Sequence, residues 1–489
     1  MQGEIFLGNK KKTVEKILGW KAVALQKKHA KVLQDGKSHS IIKLDSGEIF
    51  YCAKIPELTL QEALLLREMT KEFQETGTKK TPAETAGFIE DYCVEKKILL
   101  EKEQLCYFGE LLNSNVFGFS ALDCFLSDSM TEEIAIIGTG NKKPVFVFHK
   151  KFGWIKTNVF FGSNAFVRDL ANKMARKLGR RLTLECPKLN ANLPDGSRLT
   201  ATIPPISKEA SVTIRKFRAE PFTPIDLAEN KTFSWEFCAF AWLAIELECS
   251  FLIAGNTGSG KTSTLNCLLA FVPRQERIIA VEETPEITLP HEHMIKMGVV
   301  KEQGFGMHSL ITDTLRMRPD RVVVGEIRNS EEAGAFMDTL LAGQGRGSYA
   351  TFHAQSSKEA IARLNSFGIK ELDMSAIDLL FIQRRWPEAK AGESIEKRRI
   401  IEAAELVFSE KGFEAKTLFE FDFEKDCLKK ISESSKLMEK ARNFKGMDRN
   451  AFLQELEKRK KILQALSGKG FSLKDFFNAI NRHSQELKK

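Results

Sequence analysis

From residue 255 to 263 the chain reads Gly255-Asn256-Thr257-Gly258-Ser259-Gly260-Lys261-Thr262-Ser263, a set of residue types that can hold a phosphate. Gly-x4-Gly-Lys-Thr is the phosphate-binding loop when a strand runs into it and a helix runs out of it. Successive backbone N–H groups wrap the anion, and glycine lets the chain approach that closely. The start of the following helix adds partial positive charge. In such a loop Lys261 reaches the β- and γ-phosphates of a nucleotide, and the Thr262 hydroxyl ligates Mg2+. Phe251-Leu252-Ile253-Ala254 ahead of the loop is apolar and long enough for one buried strand, and Ser263 to Phe271 reads as helix. The competing reading is a chance glycine-rich turn before a helix. The Lys-Thr pair and the strand in front weigh against it.

Phosphoryl transfer needs more than a cradle. It needs a carboxylate to hold Mg2+, a carboxylate to orient water and a polar group near the leaving phosphate. Three apolar runs carry such groups at their C-terminal ends. Ile278 to Val281 leads to Glu282-Glu283, Arg321 to Val324 leads to Gly325-Glu326, and Tyr349 to Phe352 leads to His353. In an open parallel sheet, strand C-termini gather beside the phosphate loop. Glu282, Glu283, Glu326 and His353 are therefore expected to converge on the terminal phosphate and its metal. Each has a plainer reading beside it. Glu326, with Arg328 and a helix start at Ser330, also reads as a helix-capping group. His353 also reads as a hydrogen-bonded core histidine.

The elements that must position these groups form an α/β pattern. Residues 1–117 read as an N-terminal extension. It contains a β-hairpin (Ser40 to Leu44, a turn at Asp45-Ser46-Gly47, Ile49 to Cys52) and helices, the first opened by the capping box Thr59-Leu60-Gln61-Glu62. Gly77 to Pro82 breaks that helix, and two further helical patterns lie near 83–98 and 100–113. Residues 118–218 read as a mixed α/β domain with strands at Ile134 to Ile137, Val145 to Phe148, Leu199 to Pro204 and Val212 to Phe217, and a helix from Ser163 to Leu178. A hinge linker covers 219–224, and the nucleotide domain covers 225–409, alternating strand and helix. Residues 410–489 are expected to be a charged helical extension, with a capping box at Ser472-Leu473-Lys474-Asp475.

Composition sets the outer limits. A chain of 489 residues suggests about three domains. With 43% hydrophobic and 28% charged residues it reads as a soluble globular protein. The most apolar stretch, Phe233 to Ala254, is interrupted by Glu236, Glu246, Glu248 and Ser250, so it reads as a buried helix and a strand rather than a membrane span. Met1 to Lys12 lacks the apolar centre of a signal peptide. Nine cysteines without a C-x-x-C pair give neither a zinc pattern nor a disulfide framework, which fits a reducing cytoplasm. The net charge of +9 is mild for this length and does not demand nucleic acid. Lysines concentrate between Asn9 and Lys31 around Ile17, Leu18, Trp20, Val23 and Leu25. Such a segment fits anionic headgroups, and equally a solvated helix at a chain end.

The motifs together resemble the secretion-motor ATPases that drive type II and type IV secretion, pilus assembly and the archaeal flagellum. The likeness covers roughly 118–405 and rests on ordered signatures. They are the loop Gly255 to Thr262, the acidic box Ile279 to Ile287, the stretch Leu315 to Arg328, and Tyr349-Ala350-Thr351-Phe352-His353-Ala354. Upstream, Leu126 to Ile134, Leu193 to Leu199 and Val212 to Phe217 resemble the family's N-terminal domain, and the tight-adherence pilus and archaeal branch is the most similar. The resemblance implies a RecA-like phosphate-loop NTPase domain preceded by a smaller mixed α/β domain. It also implies a homohexameric ring with ATP between the two domains of a subunit. By motif match it implies that Lys261 and Thr262 bind phosphate and Mg2+, that Glu326 holds the metal, partly through water, and that Glu282 polarises water or metal. His353 matches the histidine-box sensor, and Arg198 and Arg215 match arginines that reach the terminal phosphate. A guanidinium suits that task because its fork pairs phosphate oxygens and stays charged. The implied partner is a polytopic membrane platform protein, with the chain cytoplasmic and peripheral at the membrane face. No nucleic acid is expected.

The sequence departs from the family pattern at three places. Glu283 stands where aspartate is usual, Gln344 where many members carry a histidine, and Asn329 where aspartate is common. Gln344 keeps a hydrogen bond but cannot take a proton. Two other readings stay open at this stage: a RecA-like nucleic-acid translocase, and a nucleotide-gated scaffold with little turnover.

Overall fold

A computed structural model describes residues 13–23, 30–75, 81–217, 220–300, 303–343, 345–390, 393–410 and 412–486; for 389, 390, 393–395 and 484–486 only the backbone is described. Most of the lysine-rich run between Asn9 and Lys31, the Gly77 to Lys80 break, the start of the hinge at Ala219, and Gln344 lie outside these residues. The chain divides into two compact units. The first ends at Phe217, and the second runs from Arg218 to Lys489 without the strand tip Ala389–Ile395.

The first unit is one sheet covered by helices. Its strands are β1 (Trp20–Ala22), β2 (Ala30–Asp35), β3 (His39–Leu44), β4 (Ile49–Ala53), β5 (Thr131–Ile136), β6 (Pro144–His149), β7 (Gly153–Phe161), β8 (Lys188–Asn192), β9 (Arg198–Thr202) and β10 (Ser211–Arg215). Among the described residues they run in the order β2-β3-β4-β7-β6-β5-β10-β9-β8, and β1 also pairs with β7. The expected boundary at 117/118 does not separate two units. β4 pairs in parallel with β7, Phe50 opposite Lys156 and Tyr51 opposite Thr157, so the N-terminal hairpin extends the same sheet. Asn158 fastens the joint: it accepts from the Ala53 N–H at 2.8 Å and donates to the Ala53 and Val23 carbonyls, each at 3.1 Å. Buried amides of this kind specify register because a one-residue slip orphans them all.

Helix Leu60–Glu75 lies on this unit by its pattern of Ala63, Leu66, Met69 and Phe73, which are buried at helical spacing. Its capping box forms as the sequence predicts, with Glu62 N–H on Thr59 Oγ1 at 3.2 Å and Thr59 N–H on Glu62 Oε2 at 2.8 Å. Trp20, Tyr51, Phe108, Phe125 and Phe161 fill the core. Each fully buried side chain of that kind is worth roughly 1.5–3 kcal/mol relative to exposure.

The second unit is also built on one sheet. Its strands are β11 (Phe251–Gly255), β12 (Ile278–Glu282), β13 (Met294–Gly298), β14 (Arg321–Ile327), β15 (Ser348–Phe352), β16 (Leu379–Lys390), β17 (Glu393–Ser409), β18 (Gly412–Asp422) and β19 (Cys427–Lys430). They run β13-β12-β14-β15-β11-β16-β17-β18-β19 among the described residues. β13 through β16 are parallel, whereas β17, β18 and β19 pair antiparallel.

The parallel strands read as unbroken apolar runs because both faces are covered. Phe251, Ile253, Ile278, Ala280, Val323 and Phe381 face one core, against helices Trp235–Glu246 and Lys261–Leu268. Leu252, Ala254, Val281, Val322, Val324 and Ile382 face the other, against helices Met307–Thr314 and Ser330–Leu341. Among the described residues no helix is long and apolar enough to cross a membrane.

The C-terminal segment differs from the expected helical extension at 410–489. It begins with β18 and β19, which continue the sheet, and only then becomes the helices Ser435–Lys445, Arg449–Ala465 and Leu473–Glu486. These helices are integral to the unit. Leu437, Phe452, Leu463, Phe476 and Ile480 are buried in the same core as Phe237 and Phe251. Arg459 is fully buried, lies 4.4 Å over the Trp242 ring, and pairs with Glu246 at 2.5 Å and Glu455 at 2.8 Å.

Candidate active site

The phosphate loop leaves the C-terminal end of β11 and enters helix Lys261–Leu268. Its glycines are required by space and by backbone. A Cβ on Gly255 would stand 2.0 Å from the Gln383 carbonyl oxygen, closer than any packing allows. Gly258 and Gly260 have φ of +74° and +94°, where side chains are strained. Lys261 is buried, and its Nζ lies back over the loop, donating to the Gly255 carbonyl at 3.1 Å and the Asn256 carbonyl at 3.3 Å. Ser259 Oγ is buried and has no hydrogen-bond partner among the described residues. Thr262 and Ser263 occupy the first turn of the helix. A glycine cradle, a buried lysine at its mouth and a helix N-terminus behind it fit the phosphates of a nucleotide and its Mg2+.

The strand ends expected to meet this loop are beside it. His353 follows β15, and its Nε2 lies 2.7 Å from Glu326 Oε1 near the end of β14. Burial first, then the positive charge of Lys261, hold the His353 pKa below its ordinary value; the Glu326 carboxylate and the Gly255 backbone oppose this. His353 is therefore within electrostatic reach of both Lys261 and Glu326, and the three residues come from three different elements. Arg328 ties the cluster together, its Nε on Glu326 Oε2 at 2.6 Å and its Nη1 on Glu283 Oε2. Thr351 Oγ1 donates to the Gly325 carbonyl at 2.5 Å and locks β15 onto β14.

Two alternative uses of these residues are resolved by the geometry. The helix after β14 is capped by Asn329, whose Oδ1 accepts from the Glu332 N–H at 2.9 Å, so the Glu326 carboxylate is not the cap. His353 is partly exposed and faces a carboxylate, unlike a core histidine.

Glu282 stands apart from the hydrogen-bonded cluster. It is 2% exposed at the end of β12, and its oxygens accept from the backbone N–H groups of Glu286 at 2.8 Å and Ile287 at 3.0 Å. Burial pushes its carboxyl up to about 7, against the lowering effect of those two N–H groups. Its side chain packs against Gly325, the residue before Glu326, where an added Cβ would stand 3.2 Å from its Cγ.

Arg198 and Arg215 belong to the first unit. They are register partners across β9 and β10, with Glu133 opposite Arg215 on the other side. Arg215 Nε lies 3.8 Å from Glu133 Oε1.

Sequence reasoning missed the other side of the loop. Gln383 and Arg385 on β16 and Arg398 on β17 contact it directly. The signal available was weak: polar residues at period two inside a strand that neighbours β11. The flanking run of Glu, Lys, Arg and Ala carries more helix than strand propensity.

The chain matches the family model "Type II/IV secretion system protein" over residues 141–452, which begins ahead of β6 and extends into helix Arg449–Ala465. An uncharacterized protein of Methanocaldococcus jannaschii, MJ0781, is 41% identical over 222 residues, covering 43% of this chain and 30% of that protein. A second from the same organism, MJ0900, is 31% identical over 392 residues, covering 76% of this chain and 68% of that protein. The type IV secretion system protein VirB11 of Bartonella quintana is 29% identical over 283 residues, covering 50% of this chain and 78% of that protein. The chain thus spans less than a third of the length of the first of these relatives and about two thirds of the second. The family model covers more than half of this chain, and it takes in the phosphate loop, the acidic strand ends and His353. The chain belongs to the type II/IV secretion system protein family and carries that family's ATPase domain.

Proposed function

We propose that this chain is a ring-forming motor that hydrolyses ATP at the end of β11 and delivers the resulting movement to a membrane-embedded platform of a secretion or type IV pilus-like machine. The observation that carries the reading is the meeting of Lys261, Glu326 and His353 from three elements at one loop mouth. The loop N–H groups and Lys261 bind the β- and γ-phosphates. Thr262 and Glu326 are the residues that would hold Mg2+, which would neutralise charge on the phosphates.

Glu282 is the general base that takes a proton from the attacking water. A carboxyl pushed up to about 7 is matched to that task near neutral pH. To act, one of its oxygens exchanges a backbone N–H for the water. Glu283 and Arg328 hold Glu326 in position. His353, neutral at pH 7, senses the terminal phosphate through its contact with Glu326. Arg198 and Arg215 are assigned to the terminal phosphate by their match to the family's arginine positions. The working form is a hexamer, cytoplasmic and peripheral at the membrane face, with residues 219–224 as hinge.

Steady-state phosphate release by the purified chain tests this, measured alone, with anionic lipid vesicles and with DNA. Turnover that rises with vesicles and not with DNA is expected. Absence of turnover under all three conditions, or stimulation by DNA alone, would overturn the motor reading.

A further inference from the structure

The phosphate loop has an outer wall, and β16 and β17 build it. The Gly258 carbonyl accepts from Arg398 Nε at 3.1 Å, and the Ser259 carbonyl accepts from Gln383 Nε2 at 2.9 Å. Asn256 is joined twice to the Arg385 backbone: its Oδ1 accepts from the Arg385 N–H at 3.0 Å, and its Nδ2 donates to the Arg385 carbonyl at 3.1 Å. The Arg385 side chain lies over the apex, with Nη1 2.6 Å from where a Cβ on Gly258 would be. It is held there by Glu396 of β17, through Nη2 on Oε1 at 3.0 Å and Nε on Oε2. Gln383 is 2% exposed, so its amide is a built-in contact and not a surface one.

The carbonyl and N–H of a trans peptide point in opposite directions. A side chain that holds a loop carbonyl outward therefore turns the N–H of the next residue inward. Gln383 and Arg398 do this at two consecutive peptides, Gly258–Ser259 and Ser259–Gly260. The N–H groups so fixed are those of Ser259 and Gly260, the second at the residue just before Lys261. The Ser259 N–H is at present only loosely engaged, by the Asn256 carbonyl at 3.2 Å. A phosphate entering the cradle meets peptide planes that are already fixed, and it competes with the Asn256 carbonyl for the Ser259 N–H. Binding then loses less free energy to ordering the loop.

We propose that Gln383 and Arg398 are positioning residues that set the affinity of the loop for nucleotide phosphates by fixing its two apical peptide planes. Arg385, kept in place by Glu396, adds fixed positive charge over Gly258. The proposal rests on reading the loop as the ATP site. It makes a specific demand on residue type. Position 383 requires a donor, so glutamate fails there although it has the same size. Position 398 requires an N–H at a fixed place, so lysine retains the charge but not the contact.

The test is equilibrium binding of a fluorescent ADP with Mg2+ to the full chain, together with KM for ATP, kcat and the melting temperature without nucleotide. The variants are Gln383→Leu, Gln383→Glu, Arg398→Ala, Arg398→Lys and, as control, Lys261→Ala. In Gln383→Leu, Gln383→Glu and Arg398→Ala, Kd and KM are expected to rise on the order of tenfold, the size of one lost hydrogen bond of this kind. The change in kcat is expected to be much smaller than that in Kd, and the ligand-free melting temperature shows that each variant is folded under the assay conditions. Arg398→Lys recovers only part of the loss, and it carries the test should Arg398→Ala fail to fold. Wild-type Kd in both the Gln383 and Arg398 variants, with binding lost in Lys261→Ala, overturns the clamp alone. Full recovery in Arg398→Lys also overturns it, because charge would then suffice. Wild-type binding in Lys261→Ala overturns the reading of the loop itself.

Discussion

The strands on the two sides of β11 serve the same loop in different ways. On one side β12, β14 and β15 are parallel; β14 and β15 bring Glu326 and His353 together as side chains, and β12 ends in the buried Glu282. On the other side β16 and β17 run past the loop and hold its backbone from behind, through Gln383 and Arg398. In the proposed mechanism the first arrangement supplies the reactive groups. The second fixes the shape of the cradle. The lesson is that a phosphate loop is only as well formed as the strand next to it makes it. Substitutions on the side of β12, β14 and β15 should alter kcat, those on the side of β16 and β17 nucleotide affinity, and those in the C-terminal helices stability.

The largest effect is expected on the parallel side. Glu326→Gln should lower kcat by about 100-fold or more, since a preorganised charge contact in a transition state typically contributes that much. ADP affinity should change far less. Comparable losses of binding and turnover in a titration of this variant would erase the distinction between the two sides.

Glu282→Gln should lower kcat/KM by a comparable factor and change its pH dependence. A base must be ionised to accept a proton, so wild-type kcat/KM should rise with pH through about 7, where burial places the Glu282 carboxyl. The variant should lose that rise. The same shift affects stability in the opposite sense. The folded carboxyl titrates above its unfolded value of 4.5, so the folded state binds the extra proton between those values. Its contribution to stability is present at low pH and is lost as pH climbs from 4.5 to about 7. Urea melts of wild type and variant across that interval measure it; parallel pH slopes would contradict the assignment.

Stability itself should respond most to the C-terminal helices. Arg459→Ala removes a fully buried guanidinium that pairs with Glu246 and Glu455 and lies over Trp242, leaving Glu246 with Lys445 alone, and should cost about 3 kcal/mol. A melt unchanged by this substitution would mean that the helices do not brace the second unit. The smallest effect is expected at Asn329→Ala, which removes a helix cap and should cost about 1 kcal/mol of stability. Turnover should be nearly unaffected, and a large loss of turnover would place Asn329 in the chemistry instead.

How much of this was legible in the sequence follows the same division. The parallel side was readable because its strands are buried on both faces and stand out as apolar runs, each ending in a group of distinct chemistry. The cap at Thr59 and the strand pairs of the N-terminal hairpin were readable from local pattern for similar reasons. The side of β16 and β17 was not. β16 and β17 are rich in Arg, Glu and Lys, residues that favour helix in isolation, and they form strands because each is paired on both sides. The join of the N-terminal hairpin to the rest of the first sheet was equally hidden. It depends on a parallel pairing of β4 with β7, about a hundred residues apart, and on the single amide of Asn158. The partial commitment of Glu282 to the backbone of Glu286 and Ile287 is a turn geometry that no spacing announces.

The most direct measurement is single-turnover phosphate release from ATP by the wild-type chain and by Lys261→Ala at equal concentration. The wild type should release phosphate in a Mg2+-dependent manner, and the variant should be slower by at least about 100-fold. Equal rates in the two proteins would place the chemistry somewhere other than the mouth of the β11 loop.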